Sequence, residues 1–252
     1  MIQTSWTTEQ TAIGRIVVPP HLPPGFALFC TTRDFPGRLD DDRARELLGV
    51  LRERFGVDAG LSTSQQVHGA EVLSAGSPAE GRWCEESSCD ALVTRSRGVA
   101  IGVKIADCLP VTILDSTAGV VGGIHSGWRG AAGKIVPAAL EMLLRDGALD
   151  VRRARAFLGP SIRGCCFEVG EEVIDALRSA YGAIDDFIDR MAGAKPHVDL
   201  PGLTRRVLTD AGLDATAIDD SGLCSRCDGS IFHSFRRDGV AAGRNLSIAA
   251  IG

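Results

Sequence analysis

Three short apolar runs, Val99 to Ile105, Val111 to Asp115 and Val120 to His125, follow one another with only turns between them. They are rich in Val and Ile and apolar on both faces, as strands buried inside a sheet are. Helical segments lie around them. Asp40 to Phe55 carries acids in its first turn, apolar residues at helical spacing, and Gly56 just past its end. Gly130 to Arg145 reads as a helix with Gly147 near its end, and Glu171 to Tyr181 and Leu203 to Ala211 read as two more. Phe26 to Thr31, Ala154 to Leu158 and Leu246 to Ile251 read as strands, and Ser64 to His68 as a short strand running into a turn at Gly69. The polar residues 76 to 90 read as loop. Strands interleaved with helices predict an α/β fold: a single compact domain with mixed β-sheets and flanking helices. A Pro-rich stretch divides an N-terminal lead-in segment, 1–25, from the main domain, 26–252.

Hydrophobic residues make up 44% of the chain and charged residues 23%, enough for a proper core and too apolar for disorder. The net charge is -5 and no basic run exists, which excludes nucleic acid as an expected partner. A local arginine pocket can still hold an anion. No segment approaches the roughly 20 apolar residues of a membrane span, and the first residues lack the pattern of a secretion signal. A cytoplasmic chain with no membrane partner is expected.

There are eight cysteines. A disulfide framework suits small secreted chains without a core, so reduced thiols, some of them metal ligands, are expected. Cys224-Ser225-Arg226-Cys227 is a CxxC, which alone fits a redox pair or half a zinc ribbon. No second CxxC exists, and the adjacent Cys165-Cys166 lacks that spacing, so the segment reads as scaffold.

Two of the five histidines, His68 and His125, sit at the ends of predicted strands. Cys108 lies in the turn Ala106-Asp107-Cys108-Leu109-Pro110, where the proline restricts the residue before it. A structural zinc site has close ligand pairs and four protein ligands, whereas three ligands from separate strand ends leave a coordination position open, as catalytic sites do. A mixture of imidazole and thiolate suits zinc. A satisfied core histidine or cysteine is the competing reading, and spacing alone leaves both open.

The surrounding motifs narrow the choice. Gln66-Val67-His68-Gly69, Ala106-Asp107-Cys108-Leu109-Pro110 and His125-Ser126-Gly127-Trp128-Arg129-Gly130 occur in that order. Leu158-Gly159-Pro160-Ser161-Ile162, Cys166-Phe167-Glu168-Val169-Gly170, His197-Val198-Asp199-Leu200, Phe235-Arg236-Arg237-Asp238 and Gly243-Arg244 follow. Together they resemble the laccase-domain, or YfiH-like, family over about residues 26 to 252. The resemblance implies a zinc (Cu2+ less readily) on His68, Cys108 and His125, and a fold similar to deamidating cysteine-hydrolase toxins. It implies purine nucleoside chemistry: phosphorolysis of adenosine, inosine, guanosine or methylthioadenosine, and deamination of adenosine. The implied partners are a purine nucleoside and inorganic phosphate, with a homodimer left open. Some members are described instead as peptidoglycan editing factors, and an older label is polyphenol oxidase.

On this reading Cys108 is both ligand and catalytic residue. Asp107 either shuttles a proton for attack on C6 of adenine or caps a turn. Arg129, four residues past His125 at a predicted helix start, is the candidate for phosphate, with a structural ion pair as the alternative. Arg33 is a second substrate-binding candidate, and Arg236 and Arg237 read equally well as structural. Gln66, two residues before His68, would face the same side of a strand and could bind base or ribose, or brace a ligand. The family's Gly-Gly-Val-Ser turn after the first strand has no counterpart in Asp34-Phe35-Pro36-Gly37-Arg38, and Arg43 or Arg45 is a loose substitute for a family arginine in the next helix. A free Cys108 nucleophile paired with His125 or His68 would instead make a cysteine hydrolase. Multicopper oxidase chemistry requires more histidines than this chain has.

Overall fold

The computed structural model describes residues 6–145, 149–190 and 195–252. The chain begins with β1 (Thr7–Thr11), β2 (Gly14–Val18) and β3 (Phe26–Thr31), then helix α1 (Asp41–Phe55). Next come β4 (Gly60–Ser64), β5 (Val72–Ser74), β6 (Trp83–Glu86), β7 (Ala91–Thr94), β8 (Val99–Ile105), β9 (Leu109–Asp115) and β10 (Val120–Ser126). Helices α2 (Trp128–Ala132) and α3 (Ile135–Leu144) precede β11 (Arg155–Leu158) and α4 (Glu171–Tyr181). The last elements are β12 (Ile188–Asp189), β13 (His197–Val198), α5 (Leu200–Asp210), β14 (Ile218–Asp220), α6 (Phe235–Asp238) and β15 (Asn245–Ile251).

Thirteen of the fifteen described strands form two mixed sheets, and β12 and β13 pair antiparallel by themselves. The first has the order β1-β2-β3-β15-β8-β4-β6, with β4 parallel to both its neighbours and the other pairs antiparallel. The second has the order β14-β11-β9-β10-β7-β5, with parallel pairs only at its two edges. Leu28, Ile101 and Ile251 of the first sheet meet Leu92, Val121 and Phe157 of the second in one buried cluster, so the sheets stack face to face. The outer face of the first sheet is covered by α1, through Leu47 and Leu51 against Phe29, Leu61 and Ile248. The outer face of the second is covered by α3, α4 and α5, through Leu140, Ile174 and Leu208 against Ile113 and Ile124. The result is a four-layer α/β/β/α sandwich.

Consecutive glycines in β10 make this stacking possible, because neighbouring strand residues face opposite ways. A Cβ at Gly123 would lie 2.9 Å from Ile101 Cγ2 of the opposing sheet, and one at Gly122 would lie 3.1 Å from Leu143 Cδ1 of α3.

Helix α1 and strands β3 and β15 lie where the apolar patterns place them. Asp40 caps α1 by accepting from the Arg43 amide, and Gly56 closes it in the left-handed conformation. Other expectations need correction. The helix expected over Gly130 to Arg145 is two helices, because Lys134 adopts φ 64° between them; Gly147 lies outside the described residues. The strand expected over Ser64 to His68 ends at Ser64. The loop expected over 76–90 contains β6, and a hairpin, β1 with β2, precedes the Pro-rich stretch and extends the first sheet. No described helix is long and apolar enough to cross a membrane.

Candidate active site

Two crossovers between the sheets meet at one end of the sandwich. Strand β8 belongs to the first sheet and β9 to the second, so the chain changes sheets in the turn holding Asp107 and Cys108. It changes sheets again between β6 and β7, where Asp90 sits. His125 is near the end of β10, where the ladder pairs it with Pro110 and Ser126 with Leu109, beside Cys108. His68 arrives from the loop after β4. Asp107 and His68 are two of the four described non-glycine residues with positive φ, at 87° and 61°. Such strain is held only where surrounding contacts over-determine the backbone.

One ligand atom each from His68, Cys108 and His125 lies within 4.8 Å of the others. Cys108 Sγ is 3.8 Å from His68 Nε2, and the two imidazoles meet edge to face with centroids 4.9 Å apart. Gly127 leaves room for the group: a Cβ there would lie 2.8 Å from Cys108 Sγ. His125 is buried, Cys108 half-buried and His68 exposed, so the set opens outward.

Asp90, fully buried, organises all of this. Its carboxylate accepts from the backbone amides of Val67, His68 and Gly69 at 3.2, 2.9 and 2.7 Å, and from His125 Nδ1 at 2.8 Å. The His68 loop is thereby clamped, and His125 keeps Nε2 free toward the cluster. Burial pushes the Asp90 carboxyl up, but His125 and the amides outweigh it and hold it below the usual range. Burial likewise pushes the Cys108 thiol up, yet hydrogen bonds and charge from His125 and His68 bring it down to about 7. His125 is disfavoured as a cation by burial and carried the other way, to about 9, by Asp90 and Cys108. Cys108 is therefore poised as a thiolate, the form that binds metal. Two imidazoles and a thiolate, one imidazole already oriented through its other nitrogen, fit a zinc site with an open position.

The cluster forms one wall of a cleft of about 620 Å³. Lys104, Arg129, Arg236 and Arg244 line it against two carboxylates, Glu85 and Asp107, and Trp128, Phe167 and Phe235 give it flat apolar surface. Arg129 Cζ stacks 4.3 Å above the Trp128 ring, and no carboxylate pairs with it among the described residues.

Other expected site residues are committed elsewhere. Gln66 lines the cleft, but its amide donates to Lys104 O and accepts from Lys104 N at 2.7 and 2.8 Å, bracing β8 rather than touching a ligand of the cluster. Asp107 accepts from Ser225 Oγ at 2.7 Å and from the Arg236 amide at 2.6 Å, one bond to each oxygen. Arg33 is outside the cleft lining and donates to the Gly229 carbonyl. Arg43 and Arg45 pair with Glu46 and Asp42 on α1. Arg237 is structural, donating to Asp238 and to the carbonyls of Phe232 and Ser225, whereas Arg236 reaches the cleft. Sequence reasoning missed Asp90, Ser225 and Phe235. The signal for Asp90 was slight: an acid immediately ahead of the apolar run Ala91-Leu92-Val93.

Comparison with known proteins places this geometry in a family. The family model described as multi-copper polyphenol oxidoreductase laccase matches residues 37–252. A purine nucleoside phosphorylase of Deinococcus radiodurans is 34% identical over 218 residues, 84% of this chain and 81% of that protein. Adenosine deaminase RL5, from an unknown prokaryotic organism, is 46% identical over 159 residues, 63% of this chain and 60% of its own length. Among solved structures, YlmD from Geobacillus stearothermophilus superposes with a TM-score of 0.81 at 25% identity, covering 97% of this chain and 98% of that one. The YfiH protein of Bacillus licheniformis shares the fold with a TM-score of 0.85 at 22% identity, over 97% and 99% of the two chains. With the sequence, the fold and the relatives in agreement, this chain belongs to the laccase-domain, YfiH-like family.

Proposed function

We propose that this protein is a zinc-dependent purine nucleoside enzyme that phosphorolyses nucleosides such as adenosine, inosine, guanosine or methylthioadenosine. The observation that carries the reading is an open His68-Cys108-His125 cluster at the wall of a cleft with four cations, two carboxylates and aromatic surface. The excess of positive side chains suits inorganic phosphate, and Trp128 and Phe235 offer faces for a purine.

Arg129, unpaired by any carboxylate among the described residues, holds phosphate through its fork of N–H donors. A phosphate oxygen then forms a bond to ribose C1′ as the C1′–N9 bond breaks. The purine leaves with the electron pair and takes up a proton, giving free base and ribose 1-phosphate. Asp107, tied to Ser225 and Arg236, holds the turn that presents Cys108. Zinc, when bound, supplies Lewis acidity and lowers the pKa of water toward neutrality. Adenosine deamination to inosine is a second reading, favoured by the similarity to adenosine deaminase RL5. In that reaction water adds at C6 and ammonia leaves, with Asp107, a carboxylate of the cleft beside Cys108, passing the proton once it releases one of its two donors.

The test is incubation of the purified protein with adenosine, with and without phosphate, beside Cys108→Ala, with products separated by chromatography and bound metal measured. Adenine formed only with phosphate identifies phosphorolysis, and inosine formed regardless of phosphate identifies deamination. Absence of both from a zinc-loaded protein overturns the reading. It would redirect attention to cell-wall precursors and to the shortened loop after the first strand. A copper-dependent polyphenol oxidase is disfavoured because no third histidine joins His68 and His125 in a described ligand cluster.

A further inference from the structure

The cysteines read as scaffold converge. Cys165 and Cys166 lie in a turn after β11, and Cys224 and Cys227 in a turn after β14. A parallel bridge between Ser161 and Cys224 brings the turns together, with the Ser225 amide donating to Ser161 O at 3.0 Å. All four sulfurs lie within 4.8 Å of one another; Cys227 Sγ is 3.7 Å from Cys165 Sγ and 3.3 Å from Cys166 Sγ. A tetrahedral zinc with Zn–S bonds of ~2.3 Å separates its sulfurs by ~3.8 Å. Cys166 and Cys224 are buried while Cys165 and Cys227 are exposed, so an ion can enter from solvent. The sequence offered one CxxC and no partner for it; the fold supplies the partner as a vicinal pair.

We propose that Cys165, Cys166, Cys224 and Cys227 form a structural zinc site, separate from the His68-Cys108-His125 cluster. Uptake releases the thiol protons to solvent as four Zn–S bonds form. The four-thiolate complex carries a net charge of about -2, and cations already face it. The Arg226 guanidinium lies beside the Cys166 sulfur, and Arg163, forked onto Asp220 at 2.6 and 2.8 Å, lies near Cys224. The backbone is braced too: His197 Nδ1 donates to Gly164 O at 2.7 Å, one residue before the vicinal pair. A single disulfide would use two sulfurs and leave two stranded at the same point, whereas one divalent ion satisfies all four. The site fastens the Cys224–Cys227 turn, from which Ser225 reaches Asp107 and whose carbonyls accept from Arg237. It thus holds a wall of the cleft without touching it.

The inference is independent of the nucleoside reading, and its test reads metal rather than turnover. The full chain is purified under reducing conditions with zinc and dialysed, and bound metal is counted in Cys108→Ala and in Cys165→Ser/Cys227→Ser. Cys108→Ala is expected to keep about one zinc per chain, held by the untouched tetrad. Loaded with cobalt, it should show the strong visible and near-ultraviolet bands of a tetrahedral thiolate site. The double variant should lose that ion and those bands. If the double variant does not fold, Cys108→Ala alone decides, because its tetrad is intact. A metal-free Cys108→Ala overturns the proposal. So does a wild-type mass showing a pair of hydrogens lost to a disulfide despite reductant and zinc.

Discussion

At the residue scale, Asp90 carries the largest share of the site's organisation. Four donors converge on its two oxygens, three of them amides of the His68 loop. Asn would keep the shape but turn an NH2 group toward those donors and remove the charge. Asp90→Asn should therefore lower zinc affinity by about 10- to 100-fold, the usual cost of losing a partner behind a metal ligand. Chelator competition measures this, and an unchanged affinity would show that the His68 loop holds its form without the carboxylate. Arg129 makes a different forecast. Losing a charged hydrogen bond costs about 1.5–3 kcal/mol, so Arg129→Ala should raise KM for phosphate by about 10- to 100-fold while KM for adenosine moves little. An equal rise in both would assign Arg129 to packing on Trp128 instead. His68, Cys108 and His125 were legible because recognisable motifs surround them. Asp90 was not, since a buried acid in a polar stretch looks like any loop residue until its donors are seen. Gln66 lines the same cleft as His68, though not by strand alternation, because β4 stops at Ser64.

At the element scale, legibility followed the length of the apolar run. Strands β3, β8, β9, β10 and β15 are almost wholly buried, so their sequences are continuous apolar runs. Two of the missed strands are edge strands: β6 pairs only with β4 and is half-exposed, and β1, Thr-Thr-Glu-Gln-Thr, pairs only with β2; β4 and β7 were missed although buried, because Gly-Leu-Ser-Thr-Ser is not an apolar run and β7 spans only four residues. The break between α2 and α3 was hidden for another reason. Lys134 is an ordinary helix former by composition, yet it sits at φ 64°, ψ 37°, with its amide donating to Ala131 O at 2.8 Å. A left-handed non-glycine residue costs roughly 1–2 kcal/mol, and glycine returns roughly 0.5–1 of that as chain entropy in the unfolded state. Lys134→Gly should therefore stabilise the protein by about 0.5–1 kcal/mol in urea unfolding, with no change in the slope. Destabilisation would mean that the lysine side chain makes a contact outweighing its backbone strain.

At the scale of the whole molecule, two connections of the second sheet depend on a buried acid at the end of β9 opposite Cys108. Asp115, at the end of β9, is fully buried and accepts from the amides of Thr117, Ala118 and Asp150 at 2.9, 3.1 and 3.1 Å, and from Arg153 at 3.3 Å. It joins the β9–β10 turn to the segment that leads into β11. Burial pushes its carboxyl up, but the amides and Arg153 prevail and hold it below the usual aspartate value. Asp34, forked onto Arg15 at 2.7 and 2.9 Å, is likewise held well below the usual range by that guanidinium, and it ties the N-terminal hairpin to the end of β3. Because both folded-state values lie below the unfolded value of about 3.9, their stabilisation is present in full above that pH. It is lost as pH falls through the lower folded values. The melting temperature should therefore be flat near neutrality and drop below about pH 4. Asp115→Asn should cost about 1–3 kcal/mol at neutral pH, because buried amides lose their acceptor, and should flatten the acid limb of the curve. If the variant instead keeps the wild-type acid slope, other carboxylates dominate the acid response, and Asp115 acts only through the shape of its turn.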